Sequence, residues 1–153
     1  MRFFNTVGPR QTGRYGMVVP RLVGQTLAGQ PLTVYGDGQQ SRCFCDVADV
    51  VRAALALAER SDTVGEVFNV GGTEEITILN LARLILQVLT PQSPPTADDP
   101  RIRFVPYADA YAPGFEDMRR RAPDTSKLYA LTGWTPAVPL AETIQRVADA
   151  RRS

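Results

Sequence analysis

Residues 31–49 read Pro31-Leu32-Thr33-Val34-Tyr35-Gly36-Asp37-Gly38-Gln39-Gln40-Ser41-Arg42-Cys43-Phe44-Cys45-Asp46-Val47-Ala48-Asp49. Leu32 to Tyr35 has the β-branched, alternating character of a short strand, and Gly36-Asp37-Gly38 is a turn. Arg42 to Val47 reads as a second strand. Asp46 or Asp49 then caps a helix over 48–60, with Val50, Val51, Ala54, Leu55, Leu57 and Ala58 as a wide apolar face. This strand–turn–strand–helix unit sets the pattern for the rest of the chain.

Upstream, Phe3 and Phe4 form a short strand that runs into the turn Val7-Gly8-Pro9 and an irregular loop through Gly13, Arg14 and Gly16. The start Met1-Arg2-Phe3-Phe4-Asn5 reads as a buried strand rather than a frayed end. A helix with Pro20 in its first turn follows, its apolar residues Val19, Leu22, Val23 and Leu27 at helical spacing and Gly29 as its stop. Downstream, Glu66 to Val70 is a buried strand closed by Gly71-Gly72. Thr77 caps an amphipathic helix over 78–89, and Ile102 to Val105 is a strand. Residues 91–123 hold seven of the twelve prolines and read mostly as loop. Asp124 caps a short helix ending near Gly133, and a last helix spans 140–151. Strands alternate with helices, so the fold class is α/β.

The chain has 153 residues, 44% of them hydrophobic, enough for one domain with a core. Seventeen basic residues nearly balance sixteen acidic ones, which argues against nucleic acid or a membrane surface as partner. With no signal-peptide pattern and no apolar run of spanning length, a cytoplasmic protein is expected. There is no histidine, which removes imidazole catalysis and histidine metal sites. The two cysteines, Cys43 and Cys45, read as small buried apolar side chains on one face of a strand, not as a disulfide or a zinc site.

Sixteen of the basic residues are arginine, the side chain suited to bidentate phosphate contact. Arg42 follows one turn, and Arg119-Arg120-Arg121 precede another, so the two could close on one diphosphate. The plainer alternative is that they are solvated surface charges. Asn5 and Asn69 are candidates for phosphate or sugar, or ordinary turn residues. Tyr35 and Phe115 are candidates for stacking on a base, or core aromatics. Asp46 and Asp49 look like paired carboxylates but are better read as helix-entry residues. No Gly-x-Gly-x-x-Gly loop, Tyr-x-x-x-Lys pair or Walker loop occurs.

Taken together, the stretches 2–10, 31–38 and 42–49, then Phe68-Asn69-Val70-Gly71, Arg120-Arg121-Ala122-Pro123-Asp124 and Gly133-Trp134-Thr135-Pro136, resemble the extended short-chain dehydrogenase/reductase family, the NAD-dependent nucleotide-sugar epimerases and dehydratases. The resemblance covers essentially the whole chain but only the C-terminal half of the family's pattern. It implies the substrate-binding part of an extended Rossmann-type fold over 1–153, including the last strands of the Rossmann sheet, with the dinucleotide-binding half missing. It implies that Asn5, Val18, Thr33, Tyr35, Arg42, Asn69 and Arg120 line a nucleotide-sugar site, and that Phe3 lies near the nicotinamide. NAD is then the cofactor of the full-length parent, not held by this chain alone. The expected ligand is a nucleotide-diphosphate sugar, above all a UDP-sugar. A homodimer, or association with a Rossmann half, is the expected assembly. Gly114-Phe115-Glu116-Asp117-Met118 looks most like the UDP-glucose 4-epimerases. The UDP-glucuronate decarboxylases and dTDP-glucose 4,6-dehydratases are the alternatives, and a stand-alone binding module or regulatory remnant is the non-enzymatic one.

Overall fold

The computed structural model describes residues 1–12, 17–110 and 117–152. Its strands are β1 (Arg2–Phe4), β2 (Thr6–Val7), β3 (Leu32–Tyr35), β4 (Ser41–Cys43), β5 (Cys45–Asp46), β6 (Asn69–Gly71), β7 (Glu75–Thr77), β8 (Ile102–Val105) and β9 (Arg120–Arg121). Its helices are α1 (Val18–Leu27), α2 (Val47–Ala58), α3 (Ile78–Leu89), α4 (Tyr107–Ala110), α5 (Ser126–Thr132) and α6 (Leu140–Arg152). β1 pairs with β6, β2 with β5 and β3 with β8, all parallel. β4 lies between antiparallel β7 and parallel β9.

Two apolar clusters hold this together. In the first, α1, α3 and α6 pack on one another and on β3, burying Leu22, Val23, Val34, Leu81, Ile85, Ile144 and Val147. The 3.6-residue spacing of those side chains gives each helix one inward face. In the second, α2, β6 and α5 enclose Ala53, Leu57, Phe68, Val70, Leu128 and Trp134. The helix ends follow local chemistry. Asp46 accepts from the Ala48 amide and Thr77 from the Asn80 amide. Asp124 accepts from the Ser126 amide, and Gly133 ends α5 at a φ of 68°.

Several sequence expectations change. The strand read over 42–47 is two strands, broken at Phe44, because Asn5 wedges into it: its Nδ2 donates to the Cys43 carbonyl (2.8 Å) and its own carbonyl accepts from the Cys45 amide (3.2 Å). Asn5 takes a φ of 43°, which asparagine tolerates better than most residues, and it separates β1 from β2 in the same way. Gly72 passes so close to the Phe44 carbonyl that no side chain fits there. Cys43 and Cys45 are both free and buried, as read, but belong to different sheets.

β6 starts three residues later than expected, since only Asn69–Gly71 has a partner in β1. α4 and β9 appear inside the proline-rich stretch read as loop. Phe3 is 51% exposed rather than buried, although Val70, which faces it on β6, is fully buried. Val51 and Leu55 of α2 also face outward, so the buried stripe of that helix is narrower than its apolar one. No helix among the described residues is long and apolar enough to cross a membrane.

Candidate functional site

β4 and β9 run parallel, with Arg42 opposite Arg121 and Ser41 opposite Arg120. Facing residues on paired strands share a side of the sheet, and neighbouring strands lie roughly 5 Å apart. The register therefore sets two guanidinium-bearing side chains next to each other on one face. That face opens on a cleft of about 270 Å³.

The walls come from six places in the chain. The β1–β2 kink supplies Asn5 and Thr6, and the following loop supplies Gln11. α1 supplies Val18 and Arg21, and the end of β3 supplies Tyr35. Gln40 and Arg42 come from β4 and the residue before it, and Tyr107, Asp117 and Arg121 from α4 to β9. Among the described residues, three arginines face one carboxylate around the cleft, a balance that favours anions.

Each charge is held. The Arg42 guanidinium, mostly buried, donates to the Ser41 carbonyl (2.7 Å) and pairs with Asp117 (2.5 Å). Tyr107 Oη donates to the other Asp117 oxygen (3.1 Å). The Tyr107 ring lies where a Cβ on Gly36 would sit, and Gly36 takes a φ of 66°, so this position admits only glycine without rearrangement. Arg121 lies over the Phe4 ring at 5.4 Å, and Arg21 over Tyr35 at 4.6 Å. Gln40, almost fully buried, donates to the Tyr35 carbonyl (3.0 Å) and ties β4 to the end of β3.

Of the residues singled out from sequence, the structure brings Asn5, Val18, Tyr35 and Arg42 to this cleft. It places four others elsewhere. Arg120 points to the opposite face of β9 and pairs with Glu75 (2.9 Å), which also bonds Ser41. The Ser41 hydroxyl and the Arg120 guanidinium outweigh desolvation and hold the Glu75 carboxyl below its ordinary range. Thr33 accepts from Arg21 and Gln25 beneath the cleft wall. Asn69 donates to the Asp124 carbonyl (3.0 Å), tying β6 to the start of α5. Phe3, expected near the nicotinamide, lies exposed on β1 and does not line this cleft. Phe115 falls outside the described residues.

Arg121, singled out from sequence only within the Arg119–Arg121 run, also lines the cleft, and Arg21, Gln40, Tyr107 and Asp117 are the additions. The choice between Arg120 and Arg121 depends on the β4–β9 register, which no local pattern encodes. The paired carboxylates read at the α2 entrance are structural. Asp46 caps the helix and bonds Thr143, while Asp49 binds Arg52 and the Ala137 and Val138 amides. Among the described residues no acidic or cysteine group has metal-site spacing.

An α/β segment of Rossmann-like topology with an arginine-lined cleft beside parallel strands defines the class. Residues 1–71 match the model of the NAD dependent epimerase/dehydratase family. It is 38% identical over 150 residues to a UDP-N-acetyl-alpha-D-glucosaminuronate decarboxylase of Bacillus cytotoxicus, covering 95% of this chain and 44% of that one. Its fold matches the UDP-glucuronic acid 4-epimerase of Bacillus cereus, solved with UDP-glucuronic acid and NAD, at a TM-score of 0.77 and 32% identity, over 99% of this chain and 44% of that one. It also matches the UDP-glucose 4-epimerase of Thermotoga maritima, solved with UDP-glucose, at a TM-score of 0.79 and 29% identity, over 99% and 44%. The chain thus spans under half the length of these relatives.

Proposed function

We propose that this chain is the nucleotide-sugar-binding portion of an NAD-dependent enzyme acting on a UDP-sugar. One observation carries the reading: Arg42 and Arg121 face each other across paired strands at an anion-favouring cleft. A diphosphate spans that separation and accepts bidentate bonds from both guanidiniums. Asn5, Val18 and Tyr35 supply a mixed polar and apolar wall for the nucleoside or sugar.

A UDP-hexuronate is the favoured sugar class. The decarboxylase relative and the more identical of the two epimerases described above are both named for uronic acids. UDP-glucose 4-epimerisation, the first expectation from sequence, is the second reading, supported by the Thermotoga match. NAD belongs to the parent reaction. The sequence has no glycine cradle and no Tyr-x-x-x-Lys pair, so this chain is not expected to hold a dinucleotide alone. This chain's part is to bind and orient, and it is expected to show no turnover by itself.

Isothermal calorimetry with UDP-glucuronic acid, UDP-glucose, UDP and uridine tests the reading. Binding of the diphosphates but not of uridine is expected, with a loss of about tenfold or more in Arg42→Met and in Arg121→Met. Equal affinity for UDP and uridine, or no effect of either substitution, would overturn it.

A further inference from the structure

The cleft already contains an anion in the place where the proposed ligand needs a cation free. Asp117 lies against Arg42 at 2.5 Å, and its second oxygen is held by Tyr107 at 3.1 Å. Arg42 is only 12% exposed and Asp117 27%, so this pair is shielded from solvent more than the other ion pairs of the β4–β9 region, Arg119–Asp37 and Arg120–Glu75. Arg121, its neighbour across the strands, lies over the Phe4 ring and pairs with no carboxylate among the described residues.

Building on the proposed diphosphate reading, we infer that Asp117 is the resident counter-ion of Arg42 and is exchanged for the ligand's phosphate on binding. Two requirements lead to this. A mostly buried guanidinium needs an anionic or strong acceptor partner in the empty cleft, or the strand carrying it is strained by an unpaired charge. A carboxylate that stayed at that guanidinium would repel an incoming diphosphate across a few ångströms.

Asp117 meets both by being movable. It sits outside the helices and strands, next to β9, and its second hold is a neutral phenol rather than another cation. The Tyr107 hydroxyl, packed over Gly36, is placed to keep hold of the carboxylate after Arg42 releases it. The consequence is selectivity: an anion is admitted to Arg42 only if its bonds to the two arginines outweigh the Arg42–Asp117 pair. Asp117 is a positioning residue in this scheme and takes no part in any bond-making step.

Calorimetry on the purified chain, with UDP and uridine as probes, tests this with Asp117→Asn, Arg42→Met and the double variant. Asp117→Asn should bind UDP about tenfold more tightly, ~1.4 kcal/mol, and leave any uridine binding unchanged. In the Arg42→Met background the same substitution should have almost no effect, because there is no pair left to exchange. A merely structural role for Asp117 would instead weaken UDP binding, and equally in both backgrounds.

A crystal structure of the wild-type chain with UDP provides an independent reading that needs no variant to fold. Arg42 and Asp117 should then lie more than about 4 Å apart, beyond ion-pair distance. Unchanged UDP affinity in Asp117→Asn, or an intact Arg42–Asp117 contact with UDP bound, overturns the exchange but leaves the diphosphate site standing. Absence of UDP binding in every variant overturns both.

Discussion

Asp49 offers the sharpest test of how this fold is held. Its side chain is 1% exposed and accepts three hydrogen bonds: Arg52 at 2.6 Å, and the Ala137 and Val138 amides at 2.9 Å each. Its backbone carbonyl accepts from Trp134 Nε1 at 3.0 Å. The carboxylate therefore clamps the first turn of α2 to the connector that leads into α6. In Asp49→Ala both amides lose a charged acceptor, at about 1–1.5 kcal/mol each, since the connector is open enough for water to replace part of the bonding. The half-exposed Arg52 pair adds about 0.5 kcal/mol. The expected loss is about 3 kcal/mol, or a fall in Tm of about 6–12 °C at this chain length. Urea unfolding followed by Trp134 fluorescence reads the clamp directly, and at a slope of ~1.5 kcal/mol/M the midpoint should drop by about 2 M. Arg52→Ala should cost under about 1 kcal/mol. A loss in Asp49→Ala below ~0.5 kcal/mol, or one matched by Arg52→Ala, would refute the clamp. The pH dependence has a definite sign. Burial pushes the Asp49 pKa up, but Arg52 and the Val138 and Ala137 amides together outweigh it and hold the carboxyl below its ordinary value. A depressed folded-state pKa contributes stability that is complete above the unfolded value near 3.9 and is lost as pH falls through the folded one. The wild type's advantage over Asp49→Ala should therefore persist at pH 5 and shrink only below about pH 4.

The remaining predictions concern separate sites. Arg120→Met should leave UDP affinity within about twofold while Arg121→Met loses tenfold or more, measured by calorimetry; the reverse order would show that the β4–β9 register is wrong. Gly72→Ala should destabilise by roughly 1–3 kcal/mol in urea unfolding, because its Cβ meets the Phe44 carbonyl and backbone cannot yield as a side-chain tip can. Asp99→Asn should cost about 2 kcal/mol, since buried Asp99 accepts the Arg101 side chain at two points and the Arg101 and Thr96 amides, which together fold the proline-rich stretch over 91–101. Cys45, whose thiol is pushed up to about 12 by burial and then by Asp49 and Asp46, should resist alkylation at pH 8 until the chain is unfolded; modification of the native protein at a free-thiol rate would contradict the packing of α2.

The parts of this molecule that were legible in sequence are those decided by local chemistry. Ile78–Leu89 carries its cap in Thr77 and its apolar period within itself, and it forms over those residues. β3 and β8 likewise begin and end where the strands read from sequence do. What was not legible depends on partners distant in sequence. Arg120 and Arg121 are identical in type and adjacent, and only the pairing of β9 with β4, nearly eighty residues away, sends one to the cleft and the other to Glu75. Tyr107 and Asp117 looked like loop residues because nothing near them in sequence indicates Gly36 or Arg42 as their neighbours. Asn69 and Thr33 are polar residues beside strands, as cleft residues often are, yet their hydrogen bonds are spent on Asp124 and on Arg21 and Gln25.

The break at Phe44 explains why the site exists at all. In an unbroken strand over 42–47, Arg42, Phe44 and Asp46 would share one face, because side chains alternate with a period of two. A cleft lined by Arg42 would then also carry the Asp46 carboxylate, fixed on the same rigid ladder and opposed to any phosphate. The kink at Asn5 and Phe44 separates them. Arg42 stays on the sheet with β9 and faces the cleft, while Asp46 turns into the helix bundle, where it caps α2 and meets Thr143 (2.9 Å) and Arg146 (3.3 Å) of α6. Asn5 is thus a wall of the cleft and also the residue whose side chain and carbonyl maintain the break. Replacing it by alanine removes the Nδ2 bond to Cys43 and the residue type that tolerates a φ of 43°, so loss of binding in Asn5→Ala would by itself be no evidence that Asn5 touches a ligand. The distinguishing measurement is stability: a structural Asn5 lowers the unfolding midpoint in the absence of any nucleotide, whereas a purely ligand-contacting Asn5 leaves it unchanged.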